Sequence, residues 1–207
     1  MSSPVVIDVG ANRGQSIDSF RFLLPECVIH AIEPNPLLAG WLAKRYVDVS
    51  VHPCAMGATA GNFTLYVPRY GFTHWDTRAS LDRGAPQEFL SCTNFWGFRS
   101  ERAHIEAMGV PVSTLDSLEL VPDVLKIDAE GLEAEVLSGA KKTLEWEPII
   151  FVEGNDRGVF DVLVPLGYTA FHAEGEALAR GPGTWNTFFL KEKHRELVST
   201  REDSFSK

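Results

Sequence analysis

Short apolar runs alternate along this chain with longer amphipathic stretches. Val5, Val6, Ile7 and Val9 flank Asp8 and are apolar and β-branched, as suits a parallel strand covered on both faces. A helix is predicted from about Gln15 to Leu24, where Ile17, Phe20, Phe22, Leu23 and Leu24 make part of the surface apolar. Val28 to Ile32 reads as a second strand ending at Glu33, Leu37 to Tyr46 as a second helix, and the alternation from Val47 to His52 as a third strand. Further strands are predicted over Asn62–Val67, Val110–Asp116, Val121–Ile127 and Pro148–Val152, the last ending at Glu153. Helices follow through Val136, Leu137, Ala140 and Leu144, and from Arg157 to Leu166. Tyr168–His172 and Thr184–Leu190 are predicted to pair antiparallel at the end of the sheet, with Gly181-Pro182-Gly183 in their connection. Such alternation predicts an α/β fold on a mostly parallel sheet.

One segment breaks the rhythm. Residues 69–109 hold Tyr70, Phe72, Trp75, Phe89, Phe95, Trp96 and Phe98 among Gly, Thr, Arg and Ser without clean periodicity. A long irregular stretch in a compact domain is often a lid or binding loop; packing of a satellite core is the alternative. Arg69, Arg78, Arg83, Arg99 and Arg102 make it locally basic. The organisation predicted is a single domain over residues 1–190, with 69–109 as an inserted lid or acceptor-binding segment, and a charged tail over 191–207.

Composition narrows the partners. The 207 residues carry a formal net charge of −9, which argues against a nucleic-acid backbone as ligand. No run of about 18 apolar residues occurs, so no membrane helix is expected. The N-terminus lacks the basic and apolar regions of a signal peptide. Three cysteines (Cys27, Cys54, Cys92) in no metal-type spacing fit reduced thiols and a cytoplasmic location. Without secretion, the glycosylation-type triplet Asn62-Phe63-Thr64 is a chance match. Oligomeric state is not readable.

The chemistry lies where strands end. Asp8-Val9-Gly10-Ala11-Asn12-Arg13-Gly14 couples a strand, a glycine-marked turn and a helix start, the cradle found at the carboxyl end of nucleotide-binding sheets. A dinucleotide fingerprint needs glycine where Asn12 stands, so that the backbone can approach a pyrophosphate. Asp8 is also a poor neighbour for phosphate and a good one for a cation. The turn therefore suits S-adenosylmethionine, with its ammonium and sulfonium, better than NAD. Glu33 lies 19 positions after Gly14, near the spacing at which an acidic residue reaches ribose hydroxyls; the alternative is a residue preceding the helix that opens at Pro36. Pro34 follows it, and Ala55 and Met56 are small and apolar enough to line an adenine pocket. Asp128 and Glu130, after the Val121–Ile127 strand, face the same crevice and are candidate bases for a hydroxyl acceptor. The alternative is that Asp128 binds cofactor and Glu130 caps the next helix. His52, His74 and His172 are rival bases, with His74 singled out by its place beside Trp75. No metal site is predicted, since no clustered Cys/His pattern appears, although Asp128, Glu130 and Glu153 form a carboxylate set of the kind magnesium accepts.

Asp8–Gly14, Ile32-Glu33-Pro34-Asn35-Pro36 and especially Leu125-Lys126-Ile127-Asp128-Ala129-Glu130-Gly131-Leu132-Glu133 resemble the FkbM family of S-adenosylmethionine-dependent methyltransferases. Ala79-Ser80-Leu81 and Asn186-Thr187-Phe188-Phe189-Leu190 are similar to it as well. The resemblance implies a class I methyltransferase fold: a Rossmann-like seven-stranded sheet, mostly parallel with an antiparallel last strand, and helices on both faces. It implies O-methylation of a sugar, glycan or polyketide-type natural product. Asp8, Gly10 and Gly14 would hold the methionine part and Glu33 the ribose, with Asn12 also binding cofactor and Ser80 and Asp128 near the cofactor and the transfer site. Two departures stand out: the N-terminal segment that often precedes the first motif is missing, and the Trp- and Arg-rich middle leaves the acceptor open. An NAD-dependent oxidoreductase and a non-catalytic nucleotide-binding α/β protein are the competing readings.

Overall fold

The computed structural model describes residues 3–71, 73–74, 79–80, 83–92, 98–175 and 177–197. In chain order these form β1 (Val5–Val9), α1 (Gln15–Leu23), β2 (Val28–Ile32), α2 (Pro36–Arg45), β3 (Ser50–His52), β4 (Ala55–Met56), β5 (Gly61–Tyr70) and β6 (Thr73–His74). There follow α3 (Gly84–Cys92), β7 (Ala103–Ser113), β8 (Val124–Ile127), α4 (Glu133–Ser138), α5 (Lys141–Glu145), β9 (Ile149–Glu153), α6 (Arg157–Leu163), β10 (Thr169–Glu174), β11 (Ala177–Arg180) and β12 (Asn186–Leu190). The charged tail is described only to residue 197.

The main sheet runs β11-β10-β12-β9-β8-β1-β2-β3. Strands β3, β2, β1, β8 and β9 are mutually parallel, while β12 lies antiparallel between β9 and β10. This is the expected mostly parallel sheet with an antiparallel last strand. It has eight strands rather than seven because Gly175, at φ +65°, turns β10 back and Ala177–Arg180 adds to its edge. Ile7, Val9, Leu125, Ile127, Ile150 and Val152 pack one face against α4–α6. Val6, Ile29 and Ala31 meet Ile17 of α1 and Leu42 of α2 on the other. The β-branched runs form strands here because both faces are covered.

A second sheet, β4-β7-β5-β6, takes in both ends of the segment expected to be irregular, and α3 lies within it. β5 and β7 pair in one long antiparallel ladder from Gly61 opposite Val112 to Tyr70 opposite Ala103. Pro68, Gly109 and Pro111 lie within this ladder and break the donor rows and the alternation that would have announced it. Of the aromatic residues noted there, Phe72, Trp75, Phe95 and Trp96 lie outside the described residues. Tyr70 stacks on Phe98, with centroids 5.3 Å apart.

The single helix expected through Leu144 is two. It breaks at Gly139, where a Cβ would stand 2.1 Å from the carbonyl oxygen of Gly57. The second piece, α5, is capped from a distance: Asp116 accepts from the Thr143 and Lys142 backbone N–H groups and from Thr143 Oγ1 at 2.9–3.1 Å. Partial burial would raise the Asp116 pKa, but these hydrogen bonds outweigh it and hold the carboxyl below its usual range. Its contribution is therefore complete above the ordinary aspartate pKa and fades as pH falls through the lowered one. Asp116→Ala is expected to cost about 1 kcal/mol at pH 7 by urea unfolding, with the difference from wild type vanishing in strong acid; an equal difference at all pH values would refute the capping role.

Candidate active site

The carboxyl ends of β1, β2 and β8 open into a cleft lined by Gly10, Glu33, Met56 and Asp128. Its floor begins at Gly10. The Gly10 and Ala11 N–H groups both donate to the Ile32 carbonyl, tying the turn after β1 to the end of β2. Gly10 sits at φ +77°, and a Cβ there would lie 1.9 Å from the Asp128 carbonyl oxygen. Only a bare backbone lets the first turn and the loop after β8 approach so closely.

Glu33 is buried at the end of β2. Its Oε2 accepts from Asn12 N–H and its Oε1 from Asn35 N–H, both at 2.8 Å. Asn35, not Glu33, caps α2, accepting from Leu37 N–H ahead of Pro36 in the first turn. Glu33 precedes this cap, as the alternative has it, and its carboxylate is fixed in the cleft wall by the two N–H groups. Asn12 takes the left-handed conformation, and its buried Oδ1 has no hydrogen-bond partner among the described residues. An orphaned acceptor beside an anchored carboxylate fits a polar ligand with donors to give. Ala55 and Met56 from β4, Leu65 from β5, and Pro34 supply an apolar wall, with Ser80 held by a two-way backbone bridge to Tyr66.

A second, polar cleft adjoins the first. Gly10, Asn12, Asp128 and Glu130 line both, and Gln15, Ser16, Lys126 and Glu153 line the second alone. The segment Lys126–Glu133 builds this region residue by residue. Lys126, 6% exposed, points inward: its Nζ donates to the carbonyls of Gly10 (2.7 Å) and Val9 (3.2 Å). The same Nζ lies 3.1 Å from Asp8 Oδ1 and 3.4 Å from Asp128 Oδ2. Asp8 Oδ1 is met by the ammonium charge rather than by an aligned hydrogen bond, while Ser16 Oγ–H donates to Oδ2. Glu130, at φ +52°, and Gly131, at φ +94°, turn the loop. Glu133 accepts from the Ala129 and Gly131 N–H groups at 3.0 Å, so it is Glu133 that ties the loop to α4.

The expected residues thus divide. Gly10, Asn12, Glu33, Pro34, Ala55, Met56, Ser80, Asp128 and Glu130 line the joined clefts. Asp8 and Gly14 do not. Asp8 is fully buried beneath the floor, where Lys126 and Ser16 occupy it, and Gly14 opens α1 against the Tyr46 ring. His52 packs on His30 with centroids 5.5 Å apart, and burial lowers the pKa of both rings. His172 faces the Gly181 carbonyl. Neither lines these clefts. The His74 side chain lies outside the described residues.

Lys126 escaped the sequence reading as part of the site, and Glu153 entered it only in a magnesium-type carboxylate set with Asp128 and Glu130. Lys126 could have been noticed as a lysine inside an apolar strand, two positions before Asp128 and so on the same face. Glu153 ends β9, next to Asp128, and is pushed up to about 7. A hydrogen bond with Asp128 is the main cause, followed by partial burial and the charges of Asp128 and Glu130, with Lys126 opposing.

A parallel sheet of this order, with an antiparallel strand inserted near its edge and an anchored acid after β2, defines a Rossmann-like methyltransferase. The sequence matches the Methyltransferase FkbM domain over residues 8–178, and the chain belongs to that family. It is 25% identical over 175 residues to the 2-O-methyltransferase NoeI of Sinorhizobium fredii (strain NBRC 101917 / NGR234), covering 79% of this chain and 68% of that protein. Among solved structures it is similar to a precorrin-6Y C5,15-methyltransferase from Geobacter metallireducens GS-15 (TM-score 0.47, 13% identity, 93% of this chain and 82% of that one). A putative precorrin-6Y C5,15-methyltransferase domain from Corynebacterium diphtheriae matches at TM-score 0.36 and 12% identity, over 91% and 86% of the two chains. Among the described residues no helix is long and apolar enough to cross a membrane.

Proposed function

We propose that this methyltransferase uses S-adenosylmethionine to methylate a hydroxyl of a small-molecule or glycan acceptor, a sugar or polyketide-type natural product. The observation that carries the reading is Glu33, whose two carboxylate oxygens are fixed inside the cleft by backbone N–H groups of both adjoining turns. A carboxylate so held is preorganised to accept from ribose hydroxyls. Asn12 Oδ1 and the bare Gly10 backbone offer a polar floor to the methionine part, and Ala55, Met56 and Pro34 an apolar wall to the base. The similarity to a 2-O-methyltransferase supports oxygen as the accepting atom.

The bound sulfonium supplies a methyl carbon open to displacement. The chain's own task is to align an acceptor oxygen with that carbon, a positioning effect worth up to roughly 7–11 kcal/mol, and to receive the hydroxyl proton. Asp128 and Glu130 line the junction of the two clefts, where such an acceptor would lie.

Calorimetry with S-adenosylhomocysteine tests the cofactor half. Wild type is expected to bind in the micromolar range. Glu33→Ala is expected to weaken binding by about 10- to 100-fold, the value of charge-assisted hydrogen bonds at roughly 1.5–3 kcal/mol. Unchanged affinity in the folded variant would remove Glu33 from the cofactor site. Methyl transfer from labelled S-adenosylmethionine to a panel of alkyl glycosides tests the acceptor half.

A further inference from the structure

Within the site proposed above, β8 and β9 run parallel with Ile127 opposite Val152, so the next residues, Asp128 and Glu153, emerge side by side. Both side chains line the polar cleft, and a hydrogen bond with Asp128 is the leading cause of the rise at Glu153. Two carboxylates cannot both accept from one another, so a contact of this kind requires one proton between them. The charged neighbours among the described residues come from several elements. Lys126 of β8 faces Asp128 at 3.4 Å and Asp8 of β1 at 3.1 Å. Glu130 adds a further negative charge to the polar cleft, α1 presents the neutral Gln15 and Ser16, and β12 places the neutral Asn186 opposite Glu153. Lys126, already engaged by Asp8, is the ammonium that faces Asp128. Glu153 opens to solvent at the mouth of the polar cleft, whereas Asp128 lies at the junction with the cofactor cleft.

The geometry points to Glu153 as a further catalytic residue: paired with Asp128 it holds a proton in the free protein, releases it when a cationic ligand enters the joined clefts, and then takes the proton of the acceptor hydroxyl. This assignment rests on the proposed use of S-adenosylmethionine. The transfer balances. The acceptor O–H bond breaks and its proton passes to Glu153. The oxygen's electron pair forms the new bond to the methyl carbon, and the electrons of the C–S bond return to sulfur as a neutral thioether. With the cation gone, the pair again retains its proton until product leaves. A base that titrates near neutrality is matched to this task.

The assignment separates from the cofactor reading in one experiment. S-adenosylmethionine and S-adenosylhomocysteine are each titrated calorimetrically into wild type and Glu153→Gln at pH 7, in two buffers of different ionisation enthalpy. Wild type is expected to release more protons with the sulfonium than with the thioether, because the raised carboxyl still holds part of its proton at this pH. In Glu153→Gln that excess is expected to vanish, with S-adenosylhomocysteine affinity within about 3-fold of wild type. Equal proton release for the two ligands in wild type, or an excess retained in Glu153→Gln, overturns the role of Glu153. Failure of both ligands to bind overturns the cofactor reading instead. In the glycoside assay, Glu153→Gln is expected to lower kcat by about 10²- to 10⁴-fold and to remove the rise of kcat with pH; a variant with wild-type kcat across pH refutes proton transfer to Glu153.

Discussion

Lys126→Met is expected to lower the unfolding free energy by about 3–5 kcal/mol, the effect of leaving one member of a buried ion pair without its partner. Asp8 is fully inaccessible, and the ammonium of Lys126 is the positive charge that faces it. The hydroxyl of Ser16 donates one hydrogen bond but brings no charge. The substitution also frees the carbonyls of Val9 and Gly10, which Lys126 fastens at the start of the first turn. Urea unfolding reads the loss. A cost below about 0.5 kcal/mol, as for a surface lysine, would show that the pair is not the buried anchor described. The double variant Asp8→Asn/Lys126→Met is expected to recover part of the loss, since it removes both charges together.

Gly10→Ala is the second large effect. A left-handed φ of +77° strains any residue with a Cβ, and that Cβ would enter the carbonyl of Asp128. Strain and overpacking together cost roughly 2–5 kcal/mol. Here the partner is backbone, so relief means moving the loop after β8 rather than rotating a side chain. The expected result is a lower melting temperature combined with loss of S-adenosylhomocysteine binding greater than that of Glu33→Ala. A variant that melts as wild type and binds normally would show that the two turns are not in the contact described. Gly14→Ala differs in its partner: at φ +78° its Cβ would meet the buried Tyr46 ring rather than backbone.

The parallel half of the sheet was legible because its strands are short β-branched runs with acids at their carboxyl ends. Val5–Val9, Val28–Ile32, Val124–Ile127 and Ile149–Glu153 fall within a few residues of their expected bounds. Glu33 was legible for the same reason, since its position follows from spacing along the chain. Features that depend on contact between strands were not. Whether Asp8 faces the ligand or the helix beneath is decided by the inward turn of Lys126, more than a hundred residues away. The partnership of Glu153 with Asp128 follows from the β8–β9 register, which no local pattern encodes. The β5–β7 ladder was legible at one end, where Asn62–Val67 and Val110–Asp116 were expected as strands, but Pro68 and Gly109 hid its continuation to Tyr70 and Ala103.

The cofactor cleft lies on a seam. Its floor belongs to the main sheet, at Val9, Gly10, Ile32, Glu33 and Asp128, but its far wall, at Ala55, Met56 and Leu65, hangs on a second sheet with its own hydrogen-bond ladder. Two ladders that share no strand are free to open as separate cooperative units. A ligand that touches both joins them, so occupancy stiffens the wall far more than the floor. The expected signature is ligand-induced protection from hydrogen exchange that is larger across β5 and β7 than across β1 and β2.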